Sequence, residues 1–502
     1  MSRHLVQGLA FVGSFVVFAG LAGCISTHGI APRQQRLGNP ELASDAAIQE
    51  AAKAAQWPRQ HWWQDYRDPQ LDAWIARALD GSPSLDEATA RVRLAMAMAG
   101  AAEAVEAPQV GADISLSRHR WPDDYFYGPG ELAKTTSWNN NAALGLSYAL
   151  DLWGRERSNS ERYLNLAQMA AAELRVAQLE LESNIVRTYI QFSLHHAERD
   201  IGLALLHQQE QILDLARRRL AGGLGTQFEV SQAEVPLPET RRQLEALDEA
   251  IALDRNRLAA LAGQGPGAGA VLQRPRLSLA GQPGLPSQLP LELLGHRPDV
   301  VARRWQVAAE AQGVEVARAD FYPNVDLVAS LGYSAVGGGM LEFFKGQKSS
   351  WGIGPAISLP IFDGGLRRAH LGEAAAGYDA AVAQYNQTLV GALREISDQL
   401  IRLHSLRQQQ DFAAASVASA QRTYDIATQA YRGGLTDYLN VLNAQSRLFQ
   451  QQQVEQQVQA ARLAAHAGLL VALGGGLLEA ADSPAEAQLQ PHSVAVRPQA
   501  AR

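Results

Sequence analysis

Gly223-Leu-Gly-Thr-Gln-Phe-Glu-Val-Ser-Gln-Ala-Glu234 aligns without a gap on Gly434-Leu-Thr-Asp-Tyr-Leu-Asn-Val-Leu-Asn-Ala-Gln445. Each copy opens on the second residue of a glycine pair, Gly222-Gly223 or Gly433-Gly434. Matches continue upstream, where Pro108-Gln-Val110 corresponds to Pro323-Asn-Val325 and Leu150-Asp-Leu-Trp153-Gly154 echoes Leu359-Pro-Ile-Phe362-Asp-Gly364. An internal repeat decides how the rest of a chain is read. Here the same parts come in the same order twice: helix, strand pair, long helix, glycine turn, long helix.

The helices are set by what they lack. No proline interrupts Glu156 to Val235 or Gly364 to Ser483, and these spans exceed ordinary globular helices. Leu174, Ala177, Leu181, Ile185, Tyr189 and Phe192 step by three and four, as coiled-coil packing requires. From Glu156 to the first glycine turn is about 65 residues, or roughly 100 Å of helix. Glycine past a helix end permits the left-handed conformation that reverses the chain, and Thr226 and Thr436 are expected to cap the returning helices. Pro236 and Pro238, about ten residues beyond the first turn, are expected to kink the returning helix or delay its start.

Period-two alternation marks four strands. Ala142, Leu144, Leu146, Tyr148 and Leu150 alternate with polar or small residues, and Val110, Ala112, Ile114 and Leu116 share one side of the preceding strand. In the second copy Val325, Leu327, Ala329, Leu331 and Tyr333 face one way, as do Ile353, Ile357, Leu359 and Ile361. Runs of about 9 to 12 residues suit tilted strands in a bilayer. Four strands cannot close a membrane barrel, so closure would need several chains.

The first residues carry a separate signal. Met1-Ser-Arg-His precedes an apolar run from Leu5 to Leu21 that ends in Leu21-Ala22-Gly23-Cys24. This reads as a cleaved secretory signal, residues 1–23, with Cys24 as the lipidation site. Cys24 is the only cysteine in 502 residues, and acylation explains a lone exported thiol. The whole chain is 47% hydrophobic and 19% charged with a net charge of −7, which gives no bias toward nucleic acid. After the signal no stretch approaches a transmembrane helix; His466 to Leu478 is too short. His195, His196 and His207 come with no matching cysteine or carboxylate array, and nucleotide, dinucleotide and nucleophile-elbow motifs are absent. No catalytic residue, metal or cofactor is expected. Gly263 to Gly269 reads as a linker.

The chain resembles the TolC superfamily of outer-membrane efflux factors, in its OprM-like or NodT-type lipoprotein branch. The resemblance rests on Trp62-Trp63-Gln-Asp-Tyr-Arg-Asp-Pro-Gln-Leu71, Leu294-Gly-His-Arg-Pro-Asp-Val300, Phe321-Tyr-Pro-Asn324 and Ala472-Leu-Gly-Gly-Gly476, in that order, with the lipobox and the duplicated turn. It implies a mainly α protein with membrane β: a homotrimer whose twelve strands form one barrel, continued by a periplasmic helical barrel. It implies a first repeat at 56–265 (strands about 108–153, hairpin about 156–264) after a lipidated segment at 24–55. A linker at 266–290, a second repeat at 291–480 (strands about 323–362, hairpin about 364–474) and an unstructured tail at 481–502 complete the expected division.

The implied function is export of small toxic compounds or drugs, with a periplasmic adaptor and an inner-membrane pump as partners. A duct for protein or peptide secretion, and a non-conducting coiled-coil lipoprotein, are the alternatives. By match to the family's tip motif, Gly222, Gly223, Leu224, Thr226, Gly433, Gly434, Leu435 and Thr436 would meet the adaptor. An acidic gate position of relatives falls at Thr428; Asp425 and Asp437 nearby would supply a carboxylate ring, or be ordinary exposed helix charges. Ile25 after Cys24 resembles the class sorted to the outer membrane.

Overall fold

In the computed structural model, residues 27, 29–37, 59–122, 134–279, 296–336, 340–341, 345–359 and 361–476 are described. The expected signal segment, Cys24, the C-terminal tail and part of each strand-to-strand loop lie outside them. Twelve elements carry the architecture among the described residues. They are α1 (Pro69–Gly81), α2 (Pro83–Val105), β1 (Gln109–Arg120), β2 (Thr136–Ala149), α3 (Arg155–Ala221), α4 (Gln227–Glu234), α5 (Pro236–Leu261), α6 (Pro298–Ala319), β3 (Asn324–Val336), β4 (Ser349–Ser358), α7 (Leu366–Arg432) and α8 (Tyr438–Ala472). None of the helices is long and apolar enough to cross a membrane.

Both α3 and α7 are 67 residues long. The duplication is kept to the residue: Arg155 and Leu366, Ala221 and Arg432, Gln227 and Tyr438, and Leu261 and Ala472 are all separated by the same stretch of chain. The one difference is at Val235. Pro236 and Pro238 lack the N–H groups that would continue the ladder, so α4 ends and α5 starts with proline in its first turn. Val235 keeps right-handed helical angles, φ −54° and ψ −46°. The hydrogen-bond ladder is interrupted while the path is helical.

The chain divides into two compact units. One comprises Met1–Arg36, Arg91–Ala170 and Arg303–Tyr385 and holds a four-stranded antiparallel sheet of order β1-β2-β3-β4. Its register sorts the side chains. Val110, Ala112 and Ile114 pair with Leu146, Leu144 and Ala142. Across β2 and β3, Leu144 pairs with Leu331 and Tyr148 with Leu327; across β3 and β4, Leu331 pairs with Trp351 and Ala329 with Ile353. Cross-strand partners share a face, so one face is apolar from Val110 to Leu116 and across to β4, with Asn140 opposite Leu116 and Arg118 and Arg120 beyond it. The other carries Asp113, Ser115, Asn141, Ser147, Ser330, Ser334, Gly352 and Ser350. Val110, Ile114, Leu144, Leu331, Trp351, Ile353 and Ile357 are exposed in the single chain. In the same unit the segment after Gly29 is fastened to α7, because the Arg33 and Gln34 N–H groups both donate to Asp379 Oδ1 at 2.8 Å.

The other unit comprises Leu37–Ala90, Ala171–Ala302 and Asn386–Arg502. Its core gathers Trp62, Trp63, Tyr66, Leu71, Trp74, Ile185, Tyr189, Phe192, Leu258 and Leu470. Trp62 Nε1 donates to buried Glu182 at 2.9 Å, and Arg175 lies 3.3 Å from the same carboxylate. Burial outweighs both partners and raises the Glu182 pKa. Asp68 caps α1 by accepting from Gln70 N at 2.9 Å and also accepts from Tyr189 Oη at 3.0 Å. The Gly-rich connection after α5 is packed: Gly269 and Leu272 are buried, and Ser278 N donates to Tyr66 O at 3.0 Å. Its apolar residues, Leu272, Leu277 and Leu279, serve the core, so this part of the expected linker is not a loose tether.

Candidate functional site

The two glycine turns are built alike. Gly223 N donates to Leu220 O at 3.0 Å and Leu224 N to Arg219 O at 2.9 Å; Gly434 N donates to Tyr431 O at 3.0 Å and Leu435 N to Ala430 O at 2.9 Å. This pair of bonds is the Schellman closure, which needs a left-handed residue at its centre. Gly223 (φ 70°) and Gly434 (φ 73°) supply it. Gly222 and Gly433 have ordinary angles and are not required to be glycine by backbone conformation.

The returning helices start differently. Thr226 Oγ1 accepts from Glu229 N, and Glu229 reciprocates to the Thr226 N–H, a complete capping box. In the second copy Asp437, not Thr436, is the cap: its Oδ1 accepts from Asn440 N at 3.2 Å, while Thr436 Oγ1 accepts from the Asn440 side chain at 2.7 Å. The expectation for Thr436 is corrected by the repeat itself. In the gapless alignment Thr226 stands opposite Asp437, and a short carboxylate side chain fills the role.

Of the matched apolar pairs, Val230 with Val441 and Ala233 with Ala444 are buried in a cluster with Ile212, Leu213, Ala216, Leu237 and Leu448. Leu224 and Leu435 are not. They are 75% and 85% exposed, although the residue after a Schellman glycine ordinarily packs back on its helix. Phe228 and Leu439 add exposed apolar surface beside them.

Three residues that the sequence reading missed hold this end together. Arg219 Nη1 donates to Tyr431 O and Nη2 to Leu224 O, each at 3.2 Å, and its guanidinium lies 4.9 Å from the Tyr431 ring centroid. Tyr431 and Tyr438 are buried with ring centroids 5.9 Å apart. Burial pushes the Tyr438 hydroxyl up to about 12. Their signal in the sequence is a departure from the repeat: the aligned partners of Arg219, Tyr431 and Tyr438 are Ala430, Leu220 and Gln227. The hydroxyls of Tyr431 and Tyr438 and Gln445 Oε1 are buried without hydrogen-bond partners among the described residues.

Among the gate candidates, Asp425 is exposed and accepts from Gln421 Nε2 at 2.9 Å, Thr428 is half-buried on α7, and the Asp437 carboxylate is engaged as the cap of α8. His195 does have a carboxylate neighbour, Asp254, with Nδ1 2.7 Å from Oδ2, which raises the His195 pKa. No cluster of three metal-ligating side chains occurs among the described residues.

With a membrane-type sheet, paired 67-residue helices and a duplicated tip in view, likeness to known proteins becomes decisive. A model of the outer membrane efflux protein family matches residues 74–264 and 289–475. This chain belongs to that family. The efflux protein is 48% identical over 377 residues to the fusaric acid resistance protein FusA of Burkholderia cepacia, covering 75% of this chain and 71% of that protein. It is 30% identical over 490 residues to the multidrug resistance outer membrane protein MdtP of Escherichia coli K12, covering 95% and 97%. Among solved structures it is similar to the outer membrane protein VceC of Vibrio cholerae, at 35% identity and a TM-score of 0.78, covering 84% of this chain and all of that one. The efflux protein is an outer-membrane channel component with a TolC-like fold, in a family of channels rather than enzymes.

Proposed function

We propose that three copies of this chain close one twelve-stranded barrel, and that the glycine tips dock on a periplasmic adaptor joined to an inner-membrane pump. The observation that carries the docking reading is the pair of leucines, Leu224 and Leu435, held outward on matched rigid turns. An exposed apolar pair on a preorganised turn is a binding surface and costs little ordering on contact. Gly222, Gly223, Thr226, Gly433, Gly434 and Thr436 frame it, with Asp437 joining as the second cap. Trimer closure is supported by a sheet whose outer strands β1 and β4 each have one unpaired edge among the described residues.

Energy for export comes from the pump. The cargo is a small toxic organic compound, in keeping with the relative named for fusaric acid resistance. Cys24, acylated after removal of residues 1–23, anchors each copy to the membrane. Asp425 and Thr428, near the tip end of α7, form the gate with Asp437; three copies of each acid around an axis attract cations and resist free leakage of anions.

Photocrosslinking in the cell from a reactive residue at Leu435, with mass spectrometry of what is captured, tests the docking. Capture of a periplasmic adaptor is the expected result. Repeated failure from a well-assembled trimer overturns the tip assignment.

A further inference from the structure

Where each strand pair runs into its long helix, both copies place the same parts. β2 leads through Leu152 and Trp153 to Gly154, at φ 72°, and α3 starts with Arg155-Glu-Arg157. β4 leads to Ile361 and Phe362, then to Gly364 and Gly365 at φ 64° and 95°, and α7 starts with Leu366-Arg367-Arg368. Leu152, Trp153 and Ile361 are exposed, and Phe362 is 90% exposed. Trp153 stacks on Tyr322, ring centroids 4.7 Å apart and 19° from parallel, and donates Nε1–H to the Pro323 carbonyl at 2.8 Å. The sheet therefore ends in a rim of exposed aromatic side chains, Trp153 held on Tyr322 and Phe362 open to its surroundings. Arginines follow at once.

Arg155 is engaged by Asp320 at 2.7 Å and by Glu156, and Arg367 lies 3.4 Å from Asp363. Arg157 and Arg368, one per copy, are exposed and have no carboxylate within salt-bridge distance among the described residues, although Arg368 lies close enough to Asp363 to help lower its pKa. A cleft of about 330 Å³ opens between Trp153, Tyr322, Arg155 and Arg367; Arg157, Phe362 and Arg368 lie outside its lining. The helix starts already have their anions: Asp151 accepts from Arg157 N at 2.9 Å, and Asp363 from Gly365 N at 2.9 Å. A further anion would be held by guanidinium side chains, not by the helix ends. Apolar strand, aromatic rim and arginine follow one another as acyl chain, glycerol and phosphate do on leaving a bilayer. Guanidinium is suited to phosphate oxygens.

We propose that these two elbows bind an anionic phospholipid of the periplasmic leaflet, with Trp153, Tyr322 and Phe362 at the acyl–glycerol boundary and Arg157 and Arg368 on the phosphate. The proposal rests on the duct reading and adds its lipid partner. It is tested by native mass spectrometry of the full-length assembled protein in detergent. The protein is titrated with dioleoyl phosphatidylglycerol and, separately, with dioleoyl phosphatidylcholine, which has the same chains and no net charge.

Phosphatidylglycerol is expected to be retained preferentially. Arg157→Gln with Arg368→Gln is expected to weaken that preference about fivefold for each arginine removed. The Lys pair should keep most of it, and Arg241→Gln near the tip should not alter it. Equal retention of the two lipids, or an unchanged preference in the double Gln variant, overturns the proposal. Planar-bilayer conductance on the same preparations separates the two readings. A conducting protein without lipid preference loses only the elbow site, whereas a wild-type protein that never conducts overturns the duct and the elbow together.

Discussion

Arg219 joins the two halves of the repeat at their turns, since one guanidinium bonds Leu224 O of its own turn and Tyr431 O of the other. Glycine substitutions separate turn conformation from close packing. An alanine Cβ at Gly434 would meet nothing within 4 Å, so Gly434→Ala should cost only the left-handed backbone penalty, about 1 to 2 kcal/mol. At Gly476 the Cβ would run into the Arg59 carbonyl. Gly476→Ala should therefore lower the thermal midpoint further than Gly434→Ala in detergent-solubilised protein. His466 provides a pH test. It is buried edge-on against Tyr66, and burial, aided by Arg462, lowers its pKa to about 4. The folded state thus favours the neutral ring. The corresponding stability is complete above the unfolded value of 6.5 and is lost as pH falls toward 4, up to about 3 kcal/mol. A thermal midpoint that declines between pH 6.5 and 4 in the wild type and is flatter in His466→Leu is the expected result. At this scale the sequence was only partly legible. Gly223 and Gly434 could be read because left-handed turns favour glycine, whereas Arg219 and Tyr431 act through contacts between residues far apart in the chain.

Among the elements, proline-free runs and three–four spacing made the long helices legible, and α3 and α7 begin within two residues of the expected starts. Capping was misread by one residue in the second copy, because Thr436 and Asp437 are both good caps by type and only backbone geometry selects between them. Asp437→Ala should cost about 1 kcal/mol and increase amide exchange in the first turn of α8, while Thr436→Val should do neither. Equal exchange in the two variants would assign the capping wrongly. The quoted sequence motifs acquire a physical meaning here. Arg297 bonds Asp299 at 2.8 Å, Glu395 at 2.6 Å and the Ala472 carbonyl at 3.1 Å. A Cβ on Gly474 would meet His296 O. Trp62-Trp63, His296-Arg-Pro-Asp299 and Ala472 to Gly476 are parts of one packed knot, which explains why residues so far from the tip carry the resemblance.

For the whole molecule, the sheet is the part whose environment the alternation already described, because strands with one face in lipid keep a strict period of two. Ile353→Arg on the apolar face should cost about 2 to 4 kcal/mol and reduce assembled channel in the outer membrane. Ser330→Arg, on the polar face of the same sheet, should leave assembly intact and change ion selectivity in planar bilayers. What the alternation did not carry was the rim of Trp153, Tyr322 and Phe362, since single exposed aromatics have no periodicity and become a feature only when the two elbows are compared. The agreement in length between the copies has a consequence for how such a protein can change. A helix that loses one heptad rotates its remaining residues by only a small angle and moves its end by about 10 Å. Made in α3 alone, that loss would put the first turn out of step with the second; made at equivalent places in α3 and α7, with the returning helices trimmed to match, it would yield a shorter channel of unchanged design. Length in this protein is a gauge cut in duplicate, so natural variants of different reach should differ by paired deletions, never by single ones.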